Sequence, residues 1–198
     1  MTILYEFEGG LYVNLTNACT CACVFCIRGG HDGVGDADSL WLERDPTEDE
    51  VLDAFRQHDL SAYREVVFCG FGEPTERLDV LLAACRYIRS VSDIPIRLNT
   101  NGLAELSLGK SVAPLFEGLI DTVSISMNAP TAAEYVQVTQ PSFGEKAFDA
   151  MLQFVRDCKR YVPHVMVTAV DVITPEQAER CRKLAESLGV PFRLRNFT

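Results

Sequence analysis

Short apolar and β-branched runs alternate along the chain with longer segments in which apolar residues recur every three or four positions. The short runs predict strands, and the longer segments predict amphipathic helices. From residue 11 onward the alternation repeats six times, which is typical of βα units built over a parallel sheet. The predicted strands cover residues 11–16, 65–69, 95–99, 121–127, 165–170 and 191–195.

Capping residues mark several of the predicted helices. Thr47, followed three residues later by Glu50, predicts the start of the first helix as a capping box. Thr174, Pro175 and Gly189 stand in the order expected for the start and stop of the last helix. The other helical patterns cover residues 78–90, 112–117 and 143–161.

The length of 198 residues favours one domain, residues 1–198, with a single core. Six βα units of about 30 residues each use the whole chain, whereas a complete eight-stranded barrel typically needs about 250 residues. We therefore predict an α/β fold, a single-domain partial (β/α)6 TIM-like barrel with a mostly parallel sheet. A doubly wound open sheet is the alternative, because periodicity does not determine how far a sheet closes.

The amino-acid composition and net charge exclude several structural and functional classes of protein. Hydrophobic residues make up 47% and charged residues 23% of the chain, which argues against disorder and a pure coiled coil. The net charge of -10 would repel nucleic acid and anionic lipid, so we expect no direct binding to either. The sequence has no apolar run near the roughly 18 residues of a membrane helix and no basic signal-peptide start. The expected location is the cytoplasm.

Four of the eight cysteines lie within one short segment, at Cys19, Cys21, Cys23 and Cys26. A disulfide framework needs an oxidising compartment and a more dispersed pattern. The segment directly follows the first predicted strand, at the carboxyl end where sites form in α/β proteins. The local cluster therefore predicts a metal site, on a loop that covers residues 17–28.

Cys19, Cys23 and Cys26 have the spacing C-x3-C-x2-C. Three thiolates on one loop can each bind one iron of a cubane [4Fe-4S] cluster and leave the fourth iron open for an exogenous ligand. The alternative is a zinc site with His31 as the fourth ligand. Zinc sites more often pair two C-x2-C elements, or combine one such element with two histidines.

Two further motifs follow the next two strands. Residues 69–74 are Cys-Gly-Phe-Gly-Glu-Pro, and residues 98–102 are Leu-Asn-Thr-Asn-Gly. A glycine-rich turn lets backbone carbonyls approach a ligand ammonium closely, and Glu73 can add a charge-assisted hydrogen bond. Without the cysteines, the first motif would be an ordinary strand-to-helix turn.

In this order the three motifs resemble those of the radical S-adenosylmethionine (radical SAM) superfamily, whose fold is a partial six-unit βα barrel. The resemblance covers the whole chain. It implies a [4Fe-4S] cluster on Cys19, Cys23 and Cys26, with S-adenosylmethionine (SAM) bound at its open iron. Reductive cleavage of SAM would then release a 5′-deoxyadenosyl radical that abstracts hydrogen from a substrate. The family spacing skips Cys21, which we interpret as a bystander.

The residue range 121–127 alternates between polar and apolar side chains, so that Ser124, Ser126 and Asn128 share one face. The resemblance implies that Ser126 and Asn128 contact the SAM ribose, and Asp171 is a weaker candidate for the same nucleoside. Phe25 is expected to pack on the cluster or the adenine. The full set of predicted SAM-binding residues is Phe25, Gly70, Phe71, Gly72, Glu73, Pro74, Ser126, Asn128 and Asp171.

Alternation also places polar residues on one face of the third and sixth predicted strands, at Arg97, Asn99, Arg193 and Arg195. If these residues line the barrel, its interior is wet and cationic and suits a small anionic substrate or a peptide terminus. The alternative is internal ion pairing with Asp121, Asp171 or Glu73, or, for Arg195, simple solvent exposure at the carboxyl end of its strand. The long segment 27–44, rich in Gly and Asp, is expected to be a lid or a solvated connector.

The sequence contains no second cysteine cluster after the last strand, so we expect no auxiliary-cluster domain. The most similar group is that of the compact TatD-linked radical SAM proteins, whose name describes a genomic association with a TatD-type hydrolase. The matching stretches are residues 11–28, 33–43, 67–78 and 96–102. The resemblance also implies an electron donor such as flavodoxin or ferredoxin. The alternatives are a non-enzymatic zinc- or iron-sulfur-binding sensor module and, among enzymes, a glycyl-radical activase or a deazaguanine-forming synthase.

Overall fold

A computed structural model describes residues 1–196 and contains one sheet of seven strands in chain order. The first pair is antiparallel and every later pair is parallel. A doubly wound sheet would reverse its strand order at a switch point, whereas this sequential order is that of a partial barrel that is not closed. The predicted fold class is confirmed. The strands are β1 (Leu4–Phe7), β2 (Gly10–Val13), β3 (Val66–Phe68), β4 (Ile96–Thr100), β5 (Thr122–Ser126), β6 (His164–Val170) and β7 (Phe192–Arg195).

Strand β1 is an addition to the six predicted strands. It forms a hairpin with β2 through Glu8 and Gly9, which have φ angles of 48° and 76°. Two consecutive positive φ values match the twist of a tight hairpin, and glycine takes such a value without steric cost. A strand of four residues is too short for hydrophobic alternation to distinguish it from a loop, which explains why the sequence analysis missed it.

Six α-helices connect the strands or follow them. The predicted capping box of Thr47 with Glu50 is present. Thr174 and Gly189 cap the last helix as predicted, and Thr174 also forms a capping box with Gln177 that was not predicted. The pattern at 112–117 forms only a 3-10 helix, Ala113–Phe116. The sequence pattern did not predict the two short helices Ala104–Leu108 and Ala132–Thr139. Within residues 1–196, none of the helices combines the length and apolar character needed to cross a membrane. The helices are α1 (Glu48–Arg56), α2 (Leu78–Val91), α3 (Ala104–Leu108), α4 (Ala132–Thr139), α5 (Lys146–Cys158) and α6 (Pro175–Leu188).

The two faces of the sheet have different surroundings, as β5 illustrates. Val123 and Ile125 are fully buried in the main hydrophobic core, which the helices cover. Ser124 and Ser126 point to the opposite face and line a cavity. Burying one such aliphatic side chain contributes about 1.5–3 kcal/mol, so the apolar face fixes the register and directs the polar face inward.

Removing the cap of α6 should weaken the fold without altering the cavity. Thr174 accepts a hydrogen bond from the backbone N–H of Gln177. We expect Thr174→Ala to cost about 1 kcal/mol and to lower the thermal midpoint by about 2–4 °C. Thr174→Ser keeps the hydroxyl and should retain most of the stability. Equal midpoints for the alanine variant and the wild type in calorimetry would contradict this role.

Candidate functional site

A cavity of about 400 Å³ lies inside the partial barrel and opens toward the carboxyl ends of the strands. Side chains from β1, β2, β4, β5, β6 and β7 line it, together with the cysteine segment and the turn after β3. This edge is where catalytic groups concentrate in barrels of this kind, because each strand delivers its loop to the same side.

The cysteine segment is clamped by the end of α4. The backbone N–H of Ala22 donates to the Thr139 carbonyl at 3.1 Å, and that of Val24 donates to the Val138 carbonyl at 3.0 Å. Cys21 forms an isolated bridge with Pro141 and is only 6% exposed, packed in the main core. The other three cysteines of the segment, Cys19, Cys23 and Cys26, are half-buried, and all four line the cavity.

The thiols of this segment perturb one another. The Cys21 side chain, followed by burial, raises the pKa of Cys19. The Cys19 side chain lowers the pKa of Cys21, but Cys23 and burial outweigh it and raise that pKa to about 12. The Asn101 side-chain amide lies 3.9 Å from the Cys19 Sγ and 3.8 Å from the Cys21 Sγ. Burial and crowding disfavour the thiolate of Cys19, whereas a bound metal would replace its proton and leave an anionic sulfur beside the Asn101 amide donor.

The thiol donors of the cysteine segment fit an iron-sulfur cluster. Within residues 1–196, no group of three His, Cys, Asp or Glu side chains converges closely enough to hold one metal ion. The thiolates that bind a cubane cluster attach to separate irons, so they need not converge on one point. The soft thiol donors, their half-buried position and the cavity beside them match such a cluster.

The turn after β3 holds a buried carboxylate next to the cysteine segment. Glu73 is 4% exposed, and its Oε1 accepts hydrogen bonds from the Thr75 hydroxyl at 2.8 Å and the Thr100 hydroxyl at 2.7 Å. Its Oε2 accepts from the Asn101 backbone N–H at 2.7 Å. Burial raises the pKa of Glu73, although the hydrogen bonds to its carboxylate act in the opposite direction and lower it. A cationic ligand group in the cavity would therefore offset the cost of the buried charge.

Two glycines let this turn approach the cysteine segment. A Cβ at Gly72 would lie 2.3 Å from the Thr16 carbonyl oxygen and 2.6 Å from that of Ala18, both backbone atoms. A Cβ at Gly70 would lie 2.1 Å from the Asn14 Oδ1. The close approach brings the Glu73 backbone N–H within 2.8 Å of the Ala18 carbonyl, so the turn and the start of the cysteine segment are directly bonded.

Polar atoms without partners face the cavity from β5 and α4. Asn128 is 3% exposed and its Oδ1 lacks a hydrogen-bond partner within residues 1–196. Its φ of 57° is left-handed, a strain that tends to persist at functional sites. The hydroxyl of Tyr135, a fully buried residue of α4, also lacks a partner within this part of the chain. Buried polar groups of this kind indicate room for a ligand.

The arginines of the interior differ in their pairing. Arg97 binds the Glu65 carboxylate through two hydrogen bonds, at 3.0 and 2.7 Å, and donates a third to the Asn99 side chain at 3.0 Å. The ion pairing expected as an alternative therefore occurs for Arg97, but with Glu65 rather than with Asp121, Asp171 or Glu73. Arg193 and Arg195 of β7 line the same cavity.

The segment 27–44 is packed against the barrel. The Asn14 side-chain amide donates to the Leu40 carbonyl at 2.7 Å, and Asn17 exchanges two hydrogen bonds with the Leu42 backbone. Leu40 and Leu42 are buried, and the Trp41 ring meets Phe71 edge-on at 5.0 Å. Ile27, Val34 and Leu40 line the cavity, so this segment forms one of its walls.

The structure brings nearly all predicted site residues to one cavity. Its lining includes the three motif cysteines and all the interior polar residues of β4 and β7, together with Phe25, residues 70–74, Ser126 and Asn128. Asp171 and His31 are both exposed, and neither lines the cavity. Sequence reasoning missed the anchoring roles of Asn14 and Asn17 and the position of Tyr135 beside the cavity. The sequence did contain one indication for Asn14, which is a polar residue directly after an apolar strand.

Comparison with known proteins identifies one family. The family model described as "Radical SAM superfamily" matches residues 13–188. The "Probable GTP 3',8-cyclase" of Thermococcus kodakarensis is 26% identical over 167 residues, which are 82% of this chain and 49% of that protein. The "GTP 3',8-cyclase" of Corynebacterium glutamicum is 33% identical over 138 residues, or 66% of this chain and 33% of that protein. The chain thus spans about half the length of the first relative and a third of the second.

A solved structure has the same fold. SuiB of Streptococcus suis, in a crystal structure with S-adenosylmethionine, matches with a TM-score of 0.69 at 16% identity. The match covers 97% of this chain and 41% of that chain. At this level of identity the likeness concerns the fold alone.

Adding one methyl group at Gly72 should push the turn after β3 away from residues 16–18, which lead into the cysteine segment. We expect Gly72→Ala to cost about 1–3 kcal/mol of stability, because the new Cβ would overlap two backbone carbonyls. Gly30→Ala is the control, since a Cβ there meets nothing within 4 Å. Thermal unfolding of both variants checks this expectation. Wild-type stability in Gly72→Ala would show that the approach is looser than described.

The wall formed by residues 27–44 should loosen when its anchor is removed. We expect Asn17→Ala to accelerate hydrogen exchange at Leu42 about tenfold or more, since two hydrogen bonds to the Leu42 backbone are lost. Amides of α2 serve as the internal control. Unchanged exchange at Leu42 would mean that packing of Leu40 and Leu42 holds the segment without Asn17.

Proposed function

This chain belongs to the radical SAM superfamily, and we propose that it cleaves S-adenosylmethionine reductively at a [4Fe-4S] cluster bound by Cys19, Cys23 and Cys26. The observation that carries the proposal is that these thiols and the Glu73 turn line one cavity, where a backbone hydrogen bond from Glu73 to Ala18 joins the turn to the start of the cysteine segment. When bound, the reduced cluster supplies the electron that breaks the SAM sulfonium bond and yields a 5′-deoxyadenosyl radical able to abstract hydrogen from a substrate.

Glu73 and its turn bind the amino group of the SAM methionine in this proposal. Four hydrogen bonds fix the orientation of the carboxylate: Oε1 accepts from the Thr75 backbone N–H and from the Thr75 and Thr100 hydroxyls, and Oε2 accepts only from the Asn101 backbone N–H. The charge that remains uncompensated suits an ammonium group, and a charge-assisted hydrogen bond to it is roughly twice as strong as a neutral one. Gly70, Phe71, Gly72 and Pro74 complete this side of the site.

The nucleoside lies toward β5. Asn128 offers an unpartnered buried carbonyl oxygen, and Ser126 of the same strand face offers a hydroxyl, which together suit the two hydroxyls of a ribose. Phe25 lines the cavity between two of the motif cysteines and provides an apolar wall for the cluster or the adenine. Asp171, which lies outside the lining, keeps only the weaker role of contacting the nucleoside from the rim.

Cys21 is not a ligand in this proposal. It is more buried than the three motif cysteines, packs in the main core and is fixed by its bridge to Pro141. A small buried thiol in such a place behaves as an apolar side chain.

The substrate occupies the barrel interior, near Arg97, Asn99, Arg193 and Arg195. A small anionic molecule or a peptide terminus fits this interior, and GTP, named in both curated relatives, is itself an anion. A flavodoxin or ferredoxin is the expected electron donor, and the cytoplasm is the proposed location. Membership of the TatD-linked group, and a functional link to a TatD-type hydrolase, rest on the four sequence stretches given above.

Cluster loading and SAM cleavage test the proposal together. Anaerobic reconstitution of the wild-type chain should give about four irons per chain, and dithionite with SAM should release 5′-deoxyadenosine. Alanine at Cys19, Cys23 or Cys26 should abolish both, because each thiolate holds a separate iron. Iron analysis, absorption spectra and chromatography of the products are the measurements.

Cys21→Ala is the matched control from the same segment. It should load iron and cleave SAM like the wild type, after a modest loss of stability from the emptied core position. Loading of zinc alone in the wild type, or loss of iron in Cys21→Ala with retention in a motif variant, would overturn the assignment.

A further inference from the structure

Arg195 is a cation of the barrel interior that forms no ion pair in the part of the chain that the structure describes. It lines the cavity from β7, and its Nε–H is buried without a hydrogen-bond acceptor within residues 1–196. None of the ion pairs in the described part of the chain involves Arg195 or its neighbour Arg193. An unpaired buried donor on a charged group is costly, which makes it a place where a ligand group is expected.

Arg97 provides the contrast within the same cavity. Both oxygens of Glu65 face its guanidinium, and the Asn99 side chain accepts a further bond. Arg97 is therefore already neutralised and held in place by the protein. A new anion could bind Arg97 only by displacing Glu65, whereas no such displacement is needed at Arg195.

The other acidic groups of the cavity do not compensate Arg195. Glu73 is held by the two hydroxyls and the backbone N–H described above. Glu8 lines the cavity but is an exposed hairpin-turn residue, and it forms no ion pair within residues 1–196. In a chain with a net charge of -10, the partly buried Arg195 and the exposed Arg193 on the same face of β7 form a local cationic spot beside the cavity.

The surroundings of Arg195 also favour binding of an anion. Burial, together with the charges of Arg193 and Arg97, lowers the pKa of Arg195. Arginine nevertheless stays protonated in proteins, so the unfavourable environment persists as a cost until an anion approaches. The Cys69 thiol and the Tyr12 hydroxyl also lie near Arg195, and the Tyr12 ring packs against Tyr5 at a centroid distance of 5.3 Å.

We infer that Arg195, assisted by Arg193, binds a carboxylate or phosphate group of the substrate in the barrel interior. This inference rests on the proposed function, because it assigns the occupant of the cavity as the substrate of that reaction. The planar guanidinium can bind either anion through two parallel hydrogen bonds. The body of the substrate then lies beside the aromatic wall of β1 and β2, formed by Tyr5, Phe7 and Tyr12. The carboxylate of SAM is the other possible source of the anion, and the test separates the two.

Calorimetric titration of the reconstituted chain with inorganic pyrophosphate and with citrate tests the subsite. Wild-type protein should bind at least one of these probes, and the tighter one identifies phosphate or carboxylate as the preferred group. Arg195→Met should weaken that binding about tenfold or more, while leaving SAM affinity unchanged. Arg86→Met, which changes the net charge equally at an exposed position on α2, should bind like the wild type.

Three results would overturn the inference: equal anion affinity in Arg195→Met and wild type, an equal loss in Arg86→Met, or loss of SAM affinity in Arg195→Met. The last result would assign the arginine to the SAM carboxylate. Failure of the proposed function itself would appear separately, as absence of SAM affinity in the wild type. If Arg195→Met does not fold, phenylglyoxal labelling of wild-type protein replaces it. Pyrophosphate or citrate should then slow modification of Arg195 but not of Arg86, and equal slowing or none would contradict the subsite.

Discussion

One buried carboxylate, that of Glu73, joins segments that are far apart in the chain. Its side chain accepts hydrogen bonds from Thr100 and Asn101 at the end of β4, and its backbone N–H donates to Ala18 at the start of the cysteine segment. A charge buried to this extent is tolerated only when it is surrounded by donors. The donors therefore have to be in place, and satisfying Glu73 also aligns the turn, the Asn101 amide and the thiols around one cavity.

The distribution of charge in the cavity follows from the same requirement. Glu73 faces the cysteine segment, and Arg97 is neutralised by Glu65 at the base of the neighbouring strand. Arg195 alone among the interior arginines has a buried donor without a partner within residues 1–196. The cavity thus offers an acceptor for a cation at one end and a donor for an anion at another. We propose that this arrangement serves two different ligands side by side, as a hydrogen abstraction between a cofactor and a substrate requires.

Local sequence patterns predicted much of this arrangement. Alternation correctly assigned the polar face of β5 to the interior, because burial of Val123 and Ile125 leaves Ser124 and Ser126 no other direction. Pairing across strands was harder to predict, since the Arg97–Glu65 bond depends on the register of β3 against β4. The strand β1 and the helix α4 were not predicted, because short elements contain too few residues to show a clear hydrophobic periodicity. Tyr135 reaches the cavity from α4, so its role could not be inferred without that helix.

Electron paramagnetic resonance of the reduced, reconstituted wild-type chain, recorded with and without SAM, tests the central claim most directly. The claim is that the three motif thiols leave one iron open beside the Glu73 turn. Binding of the SAM amino and carboxylate groups to that iron should shift the g values of the reduced cluster. An iron-sulfur signal that SAM leaves unchanged, at SAM concentrations that saturate the protein in calorimetry, would contradict the account.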